Sequence, residues 1–291
     1  MKLQKVIVVF CHSRAKLLSR CLSSIVSASG FNEWKLVVVH QKGYVDVEKV
    51  LKNYKQSIHT LISVEPGFNF ALGNINYNRI LGTKFGFEIL NADYLLGVEE
   101  DNLISIDALN FIDFVCRKYE KYNSFRGINL GSIEFGKSIN QEGYSLLRFG
   151  NHGSAGVLTK KTWSDIKKKK LFDFDLNNAD FAWDAKIEFY LKTGFMVTPN
   201  LSRNLDLGYG GNFAPASKKD PYFSAIRKSW FSSKTKLNID YKNIQVKHSW
   251  RADSIEFRRI HSIIYFIRSK DFLSRLSNFM RLTKLIKKLM V

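Results

Sequence analysis

Tyr94-Leu95-Leu96-Gly97-Val98-Glu99-Glu100-Asp101 is an apolar run that ends in three consecutive acids. The run has the length and composition of a fully buried strand over 94–98, and its carboxyl end is polar. Adjacent carboxylates there repel one another and lose solvation, so something must compensate them. The sequence leaves two answers. A divalent cation, Mn²⁺ or Mg²⁺, takes one or two carboxylates together with phosphate oxygens and water. Alternatively the acids form a solvated turn that caps a following helix over 105–119.

The residues on either side decide the architecture. Val6-Ile7-Val8-Val9-Phe10 is a second continuous apolar strand, and the polar turn Cys11-His12-Ser13-Arg14 follows it. Leu17, Leu18, Cys21, Leu22 and Ile25 then recur at helical spacing, and Gly30 stops the helix. Further strands are expected over 36–39 and 60–64, with helices over 45–54 and 73–90. Strands alternating with helices predict an α/β fold: a mostly parallel sheet with helices on both faces. Ligands of such sheets bind beyond the carboxyl ends of the strands. Two polar clusters fall there, 11–14 and 99–101.

Beyond residue 122 the pattern is mixed. Short glycine-punctuated strands are expected up to about residue 212, with helices over 161–168 and 181–192. Residues 220–243 are polar and carry no clear period. No internal repeat is present. The expected division is a domain over 1–250, with halves 1–122 and 123–250, followed by a basic helical tail over 251–291.

Composition limits the function. The chain has 291 residues, 45% hydrophobic and 14% aromatic, which excludes a disordered protein. Its three cysteines have no C-x-x-C spacing, which argues against a disulfide framework or a structural zinc module. The net charge of +19 calls for an anionic partner. The excess is densest at the end of the chain, where 258–291 carries nine Lys or Arg against Asp271 alone. Phe272, Leu273, Leu276, Phe279, Met280, Leu285, Ile286 and Leu289 are interleaved with those cations. That pattern suits a cationic amphipathic helix on an anionic membrane surface, or a helix packed on its own domain or a second subunit. No run approaches the ~20 apolar residues that cross a bilayer, and no signal peptide is evident. The expected location is cytoplasmic, peripheral at the inner face of the plasma membrane.

The first strand-to-helix turn has neither G-x-G-x-x-G nor G-x-x-x-x-G-K-[ST], which disfavours a Rossmann dinucleotide site and a Walker-type NTPase. What the chain does resemble is the GT-A glycosyltransferases. V-I-V-V-F-C-H-S-R-A-K-L-L-S-R-C-L-S-S-I (6–25) resembles the opening of that fold. L-L-G-V-E-E-D-N-L (95–103) resembles its D-x-D region, in an E-D-D form. G-S-A-G-V-L-T-K-K-T-W-S-D-I (153–166), F-A-W-D (181–184) and P-N-L-S-R-N-L-D-L-G-Y-G-G (199–211) follow in an order similar to one branch. That branch holds the Golgi N-acetylglucosaminyltransferase that initiates complex N-glycans, and bacterial relatives of the family 2 kind. The likeness covers about residues 5–213.

The resemblance implies a UDP-sugar donor, Mn²⁺ (or Mg²⁺) and inversion at the anomeric carbon. It implies Asp101 as metal ligand, and Glu99 and Glu100 as acids near the donor sugar, ribose and metal waters. Cys11 and Arg14 match the turn that contacts base and ribose. Asp184 matches the segment that supplies the catalytic base. Ala185 stands where the family has a second acid, so Asp180 and Glu188 remain alternatives. The aromatic usually found near Val157 is missing, so sugar preference does not carry over.

Arg203 is open between a phosphate contact and a buried pair that locks its loop. Tyr209, between two glycines, is a candidate for the acceptor site. His152 and His248 are lone histidines, read as structural or surface residues; the resemblance leaves His248 the alternative role of a second metal ligand.

The resulting expectation is transfer from a UDP-sugar to a glycan or lipid-linked acceptor, in bacterial surface polysaccharide or glycolipid synthesis. The rivals are a non-catalytic GT-A-like scaffold, a sugar-nucleotide nucleotidyltransferase and a nucleic-acid-binding protein. No nucleic-acid recognition motif supports the last, so no nucleic-acid partner is expected.

Overall fold

The computed structural model describes residues 3–65, 71–131, 143–147, 155–169, 187, 190–191, 193–207 and 246–248. By its internal contacts the chain divides into two units, Met1–Ser249 and Trp250–Val291. All described residues lie in the first. Asp180, Asp184, Ala185, Glu188, His152, Tyr209, the side chain of His248 and the tail over 258–291 lie outside them.

The first half is built from β1 (Lys5–Cys11), α1 (Ala15–Val26), β2 (Trp34–Gln41), α2 (Val45–Asn53), β3 (Thr60–Val64), α3 (Ala71–Lys84) and β4 (Tyr94–Glu99). A π-helical turn over Phe85–Ile89 joins α3 to β4. The four strands are parallel, with β1 between β2 and β4. Every residue of β1 is buried, as expected for a strand covered on both faces. β3 forms the sheet edge, and its residues alternate between half-buried and exposed.

Then come β5 (Asn102–Ile104), α4 (Ala108–Tyr119), β6 (Phe125–Asn129), β7 (Tyr144–Leu147), β8 (Ala155–Thr159), α5 (Lys160–Lys168), β9 (Phe195–Pro199), β10 (Asn204–Asp206) and β11 (Val246–His248). Among the described residues the main sheet runs β11-β7-β9-β6-β8-β4-β1-β2-β3. Through the pairings, β1, β2, β3, β4, β6 and β9 all point one way, while β7, β8 and β11 run against them. The carboxyl ends of six strands therefore share one edge of the sheet. β5 and β10 form a separate antiparallel pair.

One face of the sheet carries a core of Val6, Val8, Phe10, Val37, Val39 and Leu95, packed with Ile80, Phe87, Trp163 and Ile166 from the helices. Because side chains alternate along a strand, Ile7, Val9 and Cys11 belong to the other face. α3 lies close on the first face because Gly82 has no side chain; a Cβ there would stand 2.6 Å from Val8 Cγ1. A Cβ on Gly86, one turn on, would meet Leu95. Four helical residues and about two strand residues both span ~6 Å, so α3 runs antiparallel to the strands. Its beginning, with the buried Asn74, Asn76 and Asn78, therefore lies towards the carboxyl edge of β1 and β2. Gly127 in β6 is similarly required, at φ 152°, since a Cβ would sit 2.1 Å from the Val157 carbonyl oxygen.

Candidate functional site

From β1 the chain moves through α1 to β2 and β3 on one flank, then returns to β4 on the other. The point of reversal lies between β1 and β4. Connections leave in opposite directions there, the point beyond the strand ends at which ligands of such sheets bind. The two polar clusters picked out from sequence meet at this point. Cys11–Arg14 leaves β1, and Glu99–Asp101 leaves β4.

Glu100 is buried and organises the turn. Its Oε2 accepts hydrogen bonds from the backbone N–H of His12 (2.8 Å) and of Arg14 (3.4 Å). Its Oε1 accepts from Arg14 Nε at 2.7 Å. The same guanidinium reaches the buried Asp101, with Nη1 at 2.7 Å from Oδ2. Asp101 Oδ1 accepts from Asn102 Nδ2 at 2.8 Å. Burial by itself lowers the Arg14 pKa, but its bonds to Glu100 and the charge of Asp101 outweigh this and raise it. Glu99 pairs with Arg79 from α3. Sequence reading missed Arg79 because a helix expected to be amphipathic gave no reason to look for a cation on its buried side. The polar alternation Asn74-Ile75-Asn76-Tyr77-Asn78 was the available signal.

Cys11 is at the predicted place in the chain, but its thiol is not at the crevice. The residue is only 2% exposed, and it lies close to Cys21 of α1. Desolvation, together with the charge of Glu100, pushes its pKa well up. Cys21 and Cys116 are also buried, with pKa values raised mainly by burial. The thiol of Cys11 is thus turned into the protein, and its backbone leads into the 11–14 turn. Because the shifts are upward, the thiols stay protonated at pH 8. Brief iodoacetamide treatment of the native protein at that pH should label none of them. After denaturation in urea, mass spectrometry should find all three labelled.

The alternatives for Arg203 are also resolved by position. It is only 1% exposed. Nε and Nη2 donate to Asp107 Oδ2 at 3.2 and 3.1 Å, and Nη1 donates to the Leu201 carbonyl at 2.8 Å. The guanidinium also lies over the Phe111 ring, 4.8 Å from its centroid. A phosphate contact for Arg203 is therefore replaced by a lock. Through it the 199–207 segment is fixed so that β10 pairs β5 and Leu207 N–H donates to the Asp101 carbonyl at 2.8 Å. The motif at 199–211 thus includes a clamp on the acidic triplet.

Other groups at this edge were not foreseen. His12 and Tyr44 have ring centroids 5.0 Å apart, both half-buried. His40 Nε2 pairs with Ser63 Oγ at 2.7 Å. Among the described residues, Gln41 Oε1 and both amide atoms of Asn76 are buried without a hydrogen-bond partner. Each such atom costs about 1–3 kcal/mol unless something meets it.

Among the described residues no three His, Cys, Asp or Glu side chains are grouped to hold an ion. Arg14 stands between Glu100 and Asp101, where an ion sharing them would have to sit.

Neither the protein-family models nor the curated proteins contain a match. Solved structures do match. S. aureus TarS 1-349 aligns with TM-score 0.51 at 10% identity, over 81% of this chain and 74% of that one. Its structure in complex with UDP aligns with TM-score 0.53 at 11% identity, over the same shares. The complex with UDP-GlcNAc gives 0.50 and 12%, over 81% and 68%. The fold is GT-A. At such identity the likeness is one of fold, and it agrees with the parallel first half and the mixed second half described above. Among the described residues no helix is long and apolar enough to cross a membrane.

Proposed function

We propose that the chain is a glycosyltransferase that takes its sugar from a UDP-sugar. The observation that carries this reading is the meeting of Arg14 with the acids that follow β4, at the reversal of strand order between β1 and β4. The GT-A neighbours crystallised with UDP and UDP-GlcNAc support the same donor class. The diphosphate would lie along the 11–14 turn, beside Arg14. The nucleoside would extend towards His12, Tyr44 and the carboxyl end of β2. The polar atoms of Gln41 and Asn76 at that end, which have no partner among the described residues, give a base donors and acceptors to meet.

In the reaction, Asp184 accepts a proton from an acceptor hydroxyl as that oxygen forms a bond to the anomeric carbon. The bond from that carbon to the diphosphate breaks, and UDP leaves with the electron pair. Attack opposite the leaving group inverts the configuration. The resemblance of the ordered motifs to the N-acetylglucosaminyltransferase I-like branch and its bacterial relatives supports an N-acetylhexosamine or hexose as the sugar. The acceptor is a glycan or lipid-linked sugar of a bacterial surface polymer. The basic 258–291 segment would hold the enzyme at the anionic inner face of the plasma membrane.

The test is UDP release from a panel of UDP-sugars, with and without purified glycolipid acceptors. At least one UDP-sugar should turn over well above a UDP-sugar blank without protein. Binding of UDP without turnover of any donor would favour the non-catalytic scaffold.

A further inference from the structure

Resting on that reading of the site, we propose that Arg14 fills the place of the divalent cation: it binds the donor diphosphate directly, and donor binding requires no metal. Position is the first argument. The Arg14 side chain is 43% exposed, whereas Glu100 and Asp101 beneath it are 3% and 8% exposed. The guanidinium is therefore the outermost charge of the cluster and the first that an incoming diphosphate meets.

The second argument is donor count. A guanidinium carries five N–H groups, of which, among the described residues, Nε and one on Nη1 are engaged inward, leaving further donors for an anion. A planar fork of this kind matches phosphate oxygens, and arginine is the residue that best supplies it.

Charge and coordination give the third. Two arginines, Arg14 and Arg79, already offset the three acids of the triplet. Glu100 has both oxygens occupied by hydrogen bonds, and each oxygen of Asp101 accepts or pairs with a cationic or amide nitrogen. Mg²⁺ and Mn²⁺ prefer near-octahedral oxygen shells. To use these acids, such an ion would have to displace Arg14 or share the space with it. The turn around Glu100 fixes Arg14 through its own backbone N–H as well as its side chain, so this placement is built into the chain. Glu100 acts here as a positioning residue. α1 begins one residue after Arg14 with no side chain capping it, and its positive end adds to the same field.

Calorimetric titration of the full chain with UDP tests this, first in EDTA and then with Mn²⁺ at millimolar concentration. The two dissociation constants should agree within about threefold, and Arg14→Ala should weaken binding more than about tenfold in both buffers. Circular dichroism melting of Arg14→Ala checks that the variant is folded, and the comparison of buffers on the parent protein needs no variant. Binding that is seen only with Mn²⁺, or that tightens more than about tenfold with it, overturns the proposal while leaving the UDP-sugar reading intact. An unchanged dissociation constant in folded Arg14→Ala overturns it as well. Absence of UDP binding in both buffers overturns the UDP-sugar reading, and the proposal with it.

Discussion

Arg203→Met will destabilise the protein by about 3–5 kcal/mol, among the largest losses any single surface-neutral change can cause. The replacement keeps most of the side-chain volume but removes the guanidinium that donates to the buried Asp107 carboxylate from both Nε and Nη2. Asp107 Oδ1 still accepts from Ser105 Oγ, at 2.6 Å, but one hydroxyl does not replace a guanidinium. Urea denaturation should show a lower midpoint at unchanged slope. The double variant Arg203→Met with Asp107→Leu should regain much of the loss, because a buried pair replaced as a unit leaves no orphaned charge. Arg203→Lys should fall between, since an ammonium keeps the charge but cannot donate both to Asp107 and to the Leu201 carbonyl in the same plane. The competing outcome is clear. If Arg203→Met keeps full stability and loses UDP binding, the guanidinium serves phosphate and not the clamp.

The Arg203 case shows what sequence could and could not settle. A buried arginine beside Pro199 and Ser202 was readable as either ligand or lock, because both uses need the same side chain. The partner, Asp107, lies 96 residues away and nothing local marks it. The same distance problem hid the pairing of Arg14 with Glu100, 86 residues apart. Each side of that pair was legible as a polar strand end, and the α/β rule brought both to one edge. What the rule does not supply is which charges neutralise which.

β1, β2 and β4 were legible because each holds a continuous apolar run of four or more residues, largely buried and closed by a polar turn, whereas β3 is a half-exposed edge strand. β5 and β10 were not, since three residues carry no period. The antiparallel entry of β8 between β4 and β6 was also beyond reach. Strand direction is set by long-range pairing, and Ala155–Thr159 would read the same either way. Burial on both sides likewise explains Cys11. Its neighbours marked a turn at the ligand edge, yet the alternation of a strand turned the thiol to the α1 face.

Asp184→Asn should lower turnover by about 10²–10⁴-fold, the usual contribution of a general base, while the dissociation constant for UDP stays within about twofold of the parent. The carboxylates of the acidic triplet are already engaged. Glu100 is buried with both oxygens accepting hydrogen bonds, Asp101 is held by Arg14 and Asn102, and Glu99 is paired with Arg79. Asp107 is committed to Arg203. Each of these carboxylates stabilises a cation that the fold or the donor needs, and removing a proton from an acceptor hydroxyl would require it to let go of that partner. A base for the acceptor must come from another segment, and 181–184 is the one whose sequence resembles the family's base-bearing stretch. The base must be ionised to act, so the acid limb of the pH profile of kcat/KM should flatten in Asp184→Asn, together with the fall in kcat. That pairing separates Asp184 from Arg14, whose loss should appear first in UDP affinity. If Asp184→Asn keeps turnover within about tenfold of the parent and its acid limb is intact, the base is not Asp184. The same measurement on Asp180→Asn and Glu188→Gln then identifies which acid took over where Ala185 left the family's second carboxylate absent.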